Sequence, residues 1–344
     1  MEQIKFAVIG FGHIGRRHAT VINEFIGAEL VAIVDIDNSL QNHELLPLDI
    51  PFFSDYQTFL NSDIPADVIS ICTPNSYHAP YAKMAIEKGC NAVIEKPMGL
   101  SRHECEQVIS KALNADKQVF VVKQNRYSPP VKWLKDAVDS KLMGDILQVQ
   151  INCYWNRDDR YYKPVDGKPS NWKGTKDLDG GVLFTQFSHF IDIMHWVFGD
   201  IRNIQASVIN HTHNDNTEFP DSGNAFFDFI NGGRGSLNFS TSVWDKNLES
   251  SITVIGSKGS AKIGGQYMNE VEYCHIENYE LPELEETNPP NDYGPFKGSA
   301  ANHHYVIENV VKTLNGHDRI TANMLEGMKV VDIIERIYGA AENR

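Results

Sequence analysis

Ala7-Val8-Ile9-Gly10-Phe11-Gly12-His13-Ile14-Gly15-Arg16 is the stretch that decides the fold of this chain. A short apolar run feeds a G-x-G-x-x-G turn that opens directly into an amphipathic segment, His13–Asn23. That strand–turn–helix context is the fingerprint of a dinucleotide site. Gly10 permits the tight turn, Gly12 lets the backbone approach a pyrophosphate, and Gly15 allows the helix to pack closely on the sheet. Phe11, His13 and Ile14 complete a turn that sets phosphates over a helix N-terminus. Asp35 follows Gly15 by 20 residues, at the end of Leu30-Val31-Ala32-Ile33-Val34 and next to Ile36. A carboxylate there accepts the hydroxyls of an adenosine ribose and repels a 2′-phosphate, so NAD is expected rather than NADP.

Outward from this turn, β-branched runs alternate with amphipathic stretches up to about residue 123. Strands are expected at Lys5–Ile9, Glu29–Asp35, Val68–Cys72, Asn91–Glu95 and Gln118–Val122. Helices are expected at His13–Asn23, Tyr56–Asn61, His78–Lys88 and Ser101–Ala115. The pattern reads as a parallel sheet buried on both faces. After Ser128-Pro129-Pro130 the texture changes to longer alternating segments: Ile146–Trp155, Ile201–Ile209, Asn224–Ile230, Gly235–Ser242, Ser250–Gly256 and Gly259–Ile263. These predict an antiparallel sheet, interrupted by a helix at Phe184–Phe198 and a polar connector at His211–Ser222. Leu281–Phe296 reads as a surface loop, and helices at His303–Leu314 and Leu325–Tyr338 close the chain. The expected fold class is α/β: a Rossmann doubly wound parallel sheet over 1–125, then an α+β domain over 126–344 with a large, mainly antiparallel open sheet. The first would bind the cofactor and the second the substrate, with the C-terminal helices free to pack back on the first.

A chain of 344 residues, 42% hydrophobic and 22% charged, has the composition of an ordinary globular protein. Its net charge of −14 disfavours nucleic acid and acidic membranes as partners. The five cysteines, Cys72, Cys90, Cys105, Cys153 and Cys274, contain no C-x-x-C pair and read as reduced thiols. A strand begins almost at Met1 and no apolar run reaches bilayer length, so a cytoplasmic protein is expected. His211, His213 and Asp215, like His303-His304, lie in polar sequence without a second ligand pair, and no metal is expected.

The sequence resembles the Gfo/Idh/MocA family of oxidoreductases over nearly its whole length. Three stretches carry the likeness: the glycine turn, Ile94-Glu95-Lys96-Pro97, and Gly180-Gly181-Val182-Leu183-Phe184-Thr185-Gln186-Phe187-Ser188-His189-Phe190-Ile191-Asp192. The resemblance implies that Lys96 lies beside the nicotinamide and that His189 faces it across the substrate. It also implies cofactor contacts from Thr73, Pro74, Asn75, His78, Glu95, Gln124 and Arg126, and from Trp172. Polyol dehydrogenases of the family usually place Asp four residues before the histidine, where this chain has Thr185. That departure, with Tyr127 after Gln124-Asn125-Arg126 and the Tyr154–Trp172 segment, is more similar to the UDP-N-acetylglucosaminuronate 3-dehydrogenases (WlbA/WbpB type) of surface-polysaccharide biosynthesis. Relatives associate through the sheet of the second domain, so a homo-dimer or homo-tetramer is expected.

Removing a hydride from a secondary alcohol requires a base at the hydroxyl. Lys96 serves if burial beside a cationic ring lowers its pKa. His189 is read as orienting the reacting hydroxyl, although a lone histidine on an apolar helix is by default a packed one. Residues 157–176 hold six Lys/Arg against three Asp. Arg157 and Arg160, with Tyr162 nearby, thus become candidates for an anionic sugar, and a solvated loop is the competing reading. Arg126, Tyr127, Thr185, Gln186 and His303 complete the substrate candidates. Alternatives to nucleotide-sugar oxidation are a free-sugar or inositol dehydrogenase and a glycosidase of the same family that cycles its NAD. A non-catalytic nucleotide sensor would have no use for Lys96 or His189.

Overall fold

The structure is a computed structural model that describes residues 2–47, 49–163 and 170–342. It divides into two compact units, 1–123 with 303–331 and 124–302 with 332–344. No helix among the described residues is long and apolar enough to cross a membrane.

In the first unit the strands are β1 (Ile4–Ile9), β2 (Ala28–Val34), β3 (Phe52–Phe53), β4 (Val68–Ile71), β5 (Asn91–Ile94) and β6 (Val119–Val121). They form one sheet in the order β3-β2-β1-β4-β5-β6, every pair parallel. That is the doubly wound order whose reversal point lies beside β1. The helices are α1 (His13–Glu24), α2 (Tyr56–Leu60), α3 (His78–Glu87) and α4 (Arg102–Asn114). Val8, Ile33, Val68, Ile69, Ile71, Val93 and Ile94 are inaccessible to solvent, as expected for strands covered on both faces. The start of α4 is fixed by a reciprocal capping box between Ser101 and Glu104. The two-residue β3 has no signal in the sequence, because two residues carry no periodicity.

The second unit begins with α5 (Pro129–Asp139), which opens on prolines where missing N–H groups cost nothing. It continues with β7 (Ile146–Tyr154), α6 (Asp159–Tyr162), α7 (Val182–Thr185) and α8 (Ser188–Phe198). Then come β8 (Ile201–Ile209), β9 (Ser222–Phe229), β10 (Arg234–Ser240), β11 (Glu249–Gly256), β12 (Gly259–Gly264) and β13 (Glu270–Ile276). These seven strands lie in the order β13-β12-β11-β7-β10-β9-β8. One face is the core: Val149, Ile151, Leu237, Phe239, Ile252 and Val254 are buried, with Phe187 and Phe190 packed edge-on against Trp155.

The sheet differs from expectation in one pairing, since β10 runs parallel to β7 at its centre. Side-chain alternation is the same in either direction and does not report strand polarity. The predicted Phe184–Phe198 helix is also two helices. Phe187 leaves helical geometry at φ −108, ψ 0, and Gln186 and Phe187 both donate to the Val182 carbonyl. Strand β13 lies at an edge, where only Ile276 is buried, and therefore shows no alternation. Part of the expected 281–296 loop pairs as β14 (Pro290–Asp292) with β15 (Lys297–Ala300). Closing the chain, α9 (His303–Leu314) and the first residues of α10 (Met324–Glu342) belong to the first unit, the rest of α10 to the second. The connector at 211–222 joins β8 to β9, and all five cysteines are free thiols.

Candidate functional site

In the first unit the glycine turn is sterically exacting at two of its three glycines. Gly10 has φ +89, and a Cβ there would lie 2.6 Å from the Cys72 carbonyl oxygen. At Gly15 it would lie 1.8 Å from the Gly10 oxygen, so the turn closes on the helix only without a side chain. At Gly12 nothing lies within 4 Å: that missing side chain leaves open space over the turn. The N-terminus of α1 has no side-chain cap and no acidic residue in its first turn, so its N–H groups face that space. Asp35 accepts the Phe11 amide at 2.6 Å and the Asp37 amide at 2.9 Å, which ties the end of β2 to the turn. Phe11 is buried, whereas His13 and Ile36 are exposed. The Thr73 hydroxyl is buried with no hydrogen-bond partner among the described residues. Pro74 and Asn75 turn the chain into α3, whose first residue is His78. An open cradle, uncapped amides and an orphaned hydroxyl, at the C-terminal ends of the central strands β1 and β4, fit a dinucleotide.

Glu95 and Lys96 follow β5. The Glu95 carboxylate is buried and faces inward, with Oε1 3.0 Å from His18 Nε2 and 3.3 Å from His303 Nε2. Its Oε2 accepts the Lys96 amide at 3.1 Å. Burial would raise the Glu95 pKa, but the two imidazoles outweigh it and hold the carboxyl well below its usual range. His303, expected at the substrate, is thus brought together with Glu95 and with His18, which the sequence reading had not singled out.

In the second unit His189 lies in the first turn of α8, with Nε2 3.2 Å from the side-chain nitrogen of Gln124. Asn302 holds the Gln124 carbonyl at 3.2 Å. The Gln124 side-chain oxygen, both amide atoms of Asn125 and both of Gln186 are buried without a hydrogen-bond partner among the described residues. Unsatisfied polar atoms on Gln124, which meets His189, and on Asn125 and Gln186 close to them in sequence are what a polar ligand would satisfy. The Arg126 guanidinium is fully buried in a bidentate pair with Asp192, at 2.8 and 2.7 Å, and lies over Trp196. It locks the turn carrying Gln124 to the helix carrying His189. Tyr127 is half-buried under Lys132.

Thr185 adds a group missed at the sequence level: its hydroxyl donates to the carboxylate of Asp179. Asp179 is inaccessible to solvent and also accepts the Gly174 amide at 2.8 Å. Its position directly before Gly180-Gly181 was the only available signal. The basic segment divides by residue. Arg160 is an exposed surface group bound to Asp158 and Asp245. Arg157 is 3% exposed, enclosed by the rings of Trp155, Tyr161 and Phe296, and its nitrogens donate to the Asn156 and Lys297 carbonyls and the Asn247 side chain. Lys173 sits 4.1 Å from the Tyr161 ring centre, and burial lowers its pKa to about 8. Tyr162 is buried and Trp172 half-buried. Lys168, counted in the basic segment, lies outside the described residues.

Two family models match the chain: the oxidoreductase family with an NAD-binding Rossmann fold at residues 4–123, and the GFO/IDH/MocA C-terminal domain at 131–262. The chain belongs to the Gfo/Idh/MocA family. Among solved structures of the family's fold, the WlbA dehydrogenase from Bordetella pertussis, in complex with NADH and UDP-GlcNAcA, is 26% identical. It superposes with a TM-score of 0.88 over 99% of this chain and 96% of that one. The WlbA dehydrogenase from Chromobacterium violaceum, with the same two ligands, is 27% identical with a TM-score of 0.87 over 100% and 95%. The inositol 2-dehydrogenase/D-chiro-inositol 3-dehydrogenase of Halalkalibacterium halodurans is 25% identical over 57% of this chain. The matches to curated relatives are partial: the chain spans 43%, 32% and 53% of the length of three of them.

Proposed function

We propose that the protein oxidises a secondary hydroxyl of a sugar with NAD, and that its substrate is UDP-N-acetylglucosaminuronate, converted to the 3-keto sugar. The observation that carries this reading is the likeness of the whole chain to two WlbA dehydrogenases whose structures hold NADH and UDP-GlcNAcA. NAD, when bound, supplies the hydride acceptor. The chain's own residues must take the hydroxyl proton, orient the oxygen and hold the sugar acid. We assign the proton to Lys96, which follows the strand end at β5, with Asp35 and the glycine turn binding the cofactor. His189, steadied by Gln124, hydrogen-bonds the reacting oxygen. Thr185, backed by Asp179, and Gln186 with its unpartnered amide recognise sugar hydroxyls. Arg157, buried among neutral acceptors and aromatic rings, and Lys173 hold the negative charge.

The test is NADH formation from NAD with UDP-N-acetylglucosaminuronate, myo-inositol and free hexoses in parallel, in the wild type and Lys96→Ala. Turnover confined to the nucleotide sugar and reduced at least ~100-fold by the substitution is expected. Turnover on inositol alone would replace the substrate, and full activity in the variant would remove the base.

A further inference from the structure

Three histidines that the proposed chemistry does not use converge on the backbone around Lys96. His18 projects from α1, His78 opens α3 and His303 opens α9; each is 1% exposed. His18 Nδ1 lies 2.7 Å from the Ser70 hydroxyl on β4, and its Nε2 meets Glu95 Oε1, so both nitrogens are engaged. His303 approaches the same carboxylate oxygen, its ring edge-on to that of His18 at 5.5 Å between centroids. The other oxygen of Glu95 takes the Lys96 amide. On the far side of Lys96, His78 Nδ1 lies 2.6 Å from the Pro97 carbonyl oxygen, and its Nε2 lies 2.9 Å from the Thr73 carbonyl. The residue before Lys96 and the residue after it are therefore each anchored to imidazoles on different helices.

We propose that His18, His303 and His78 are positioning residues for Lys96: His18 hydrogen-bonds the Glu95 carboxylate that accepts its amide, His303 packs against the same oxygen at 3.3 Å, and His78 meets the Pro97 carbonyl. The inference rests on the reading of Lys96 as the base. A carboxylate out of water is costly unless it is paired. Here that cost is offset by the two imidazoles, and what the arrangement gains is a fixed main chain under a side chain that is itself long and flexible. Displacing a reacting group by about an ångström lowers a rate by about 100-fold, so a base on four rotatable bonds needs a rigid origin. The ligand-type atoms of His18, Glu95 and His303 lie within 4.8 Å of one another, a spacing that a metal ion also uses. The 3.0 Å contact of His18 with Glu95 is read as a hydrogen bond, the other carboxylate oxygen accepting the Lys96 amide, and the metal content of the purified protein decides between the two.

The experiment compares the wild type with His18→Gln, His303→Gln and the milder Ser70→Ala, which removes the partner of His18 Nδ1 together with a 4.0 Å contact to the Cys72 thiol. Three quantities are read: NADH affinity by fluorescence, kcat and KM with NAD and UDP-N-acetylglucosaminuronate, and hydrogen exchange at the Lys96 amide by fragmentation mass spectrometry. Expected for the two histidine variants are a fall in kcat of at least about tenfold, KM and NADH affinity within about threefold, and Lys96 amide exchange faster by at least about tenfold. Ser70→Ala shifts kcat and exchange in the same direction by less, and decides the matter if the histidine variants do not fold. Wild-type kcat and exchange in the variants would overturn the proposal. So would an effect confined to NADH affinity, which would make these residues cofactor contacts, or a stoichiometric divalent metal in the purified wild type. A wild type inert toward the nucleotide sugar would remove the substrate reading alone, because the amide exchange still reports whether the clamp holds Lys96.

Discussion

The carboxylate of Asp35 serves two tasks, since the oxygen that accepts the Phe11 amide also carries the charge proposed to select NAD. Asp35→Asn keeps the side chain's size and removes the charge, so NAD affinity should fall about tenfold while discrimination against NADP weakens; fluorescence titration with both cofactors checks it. His18 makes a separate prediction about pH. Burial disfavours its charged form, but Cys72 and Glu95 outweigh burial and raise its pKa to about 10, with Arg17, His303 and Lys96 the other ionisable groups of this neighbourhood. A histidine raised above its unfolded value of about 6.5 gives stability that is complete below that value and lost as pH climbs toward the folded pKa. The stability difference between wild type and His18→Gln should therefore be greatest near about pH 6 and shrink toward about pH 10. Urea midpoints measure it, and a difference that does not change with pH would contradict it. At this scale the sequence was legible where a motif is local. The Gly10–Gly15 turn and Asp35 stand in one readable segment, whereas Asp179 beside Thr185, Asp192 beneath Arg126, and His18 with His303 around Glu95 are pairings made only by the fold.

Among the elements, the glycine turn separates a steric role from a binding role. Gly15→Ala drives a Cβ into the Gly10 carbonyl and should cost about 3 kcal/mol of stability. Gly12→Ala meets nothing, so its stability should stay within about 0.5 kcal/mol of wild type while NADH binds at least about tenfold more weakly. Thermal denaturation with NADH titration reads both, and a Gly12→Ala variant with native affinity would show that the pyrophosphate does not lie over this turn. The strands β1, β2, β4, β5 and β6 were readable because burial on both faces writes continuous apolar runs. In the second sheet the alternation located β7 to β12 but not the parallel β7–β10 pair, nor the polar edge strand β13. The break at Gln186-Phe187 was invisible as well, because α7 and α8 are both apolar and their sequences join without a glycine or proline.

For the whole molecule, one face of the seven-stranded sheet is core and no part of the described chain covers polar and aromatic groups on the other. Asn224, Asn238 and Asn152 form an amide ladder across β9, β10 and β7, flanked by exposed Phe226 and Tyr273. We place the expected self-association on this face, with a second copy of the chain as its occupant. Light scattering should give the mass of a dimer or tetramer, and Phe226→Glu with Tyr273→Glu should lower it; a wild type with the mass of one chain would contradict this. The net charge of −14 would repel the anionic nucleotide sugar proposed as substrate, and the proposal therefore relies on local cations such as Lys173 and the buried Arg157. The proposed hydride transfer from the sugar's 3-position to NAD is followed with UDP-N-acetylglucosaminuronate deuterated at that carbon. Deuterium is expected on the nicotinamide ring of the NADH formed, together with a 3-keto sugar. Reduced cofactor without deuterium, or a changed sugar with no reduced cofactor, would contradict it.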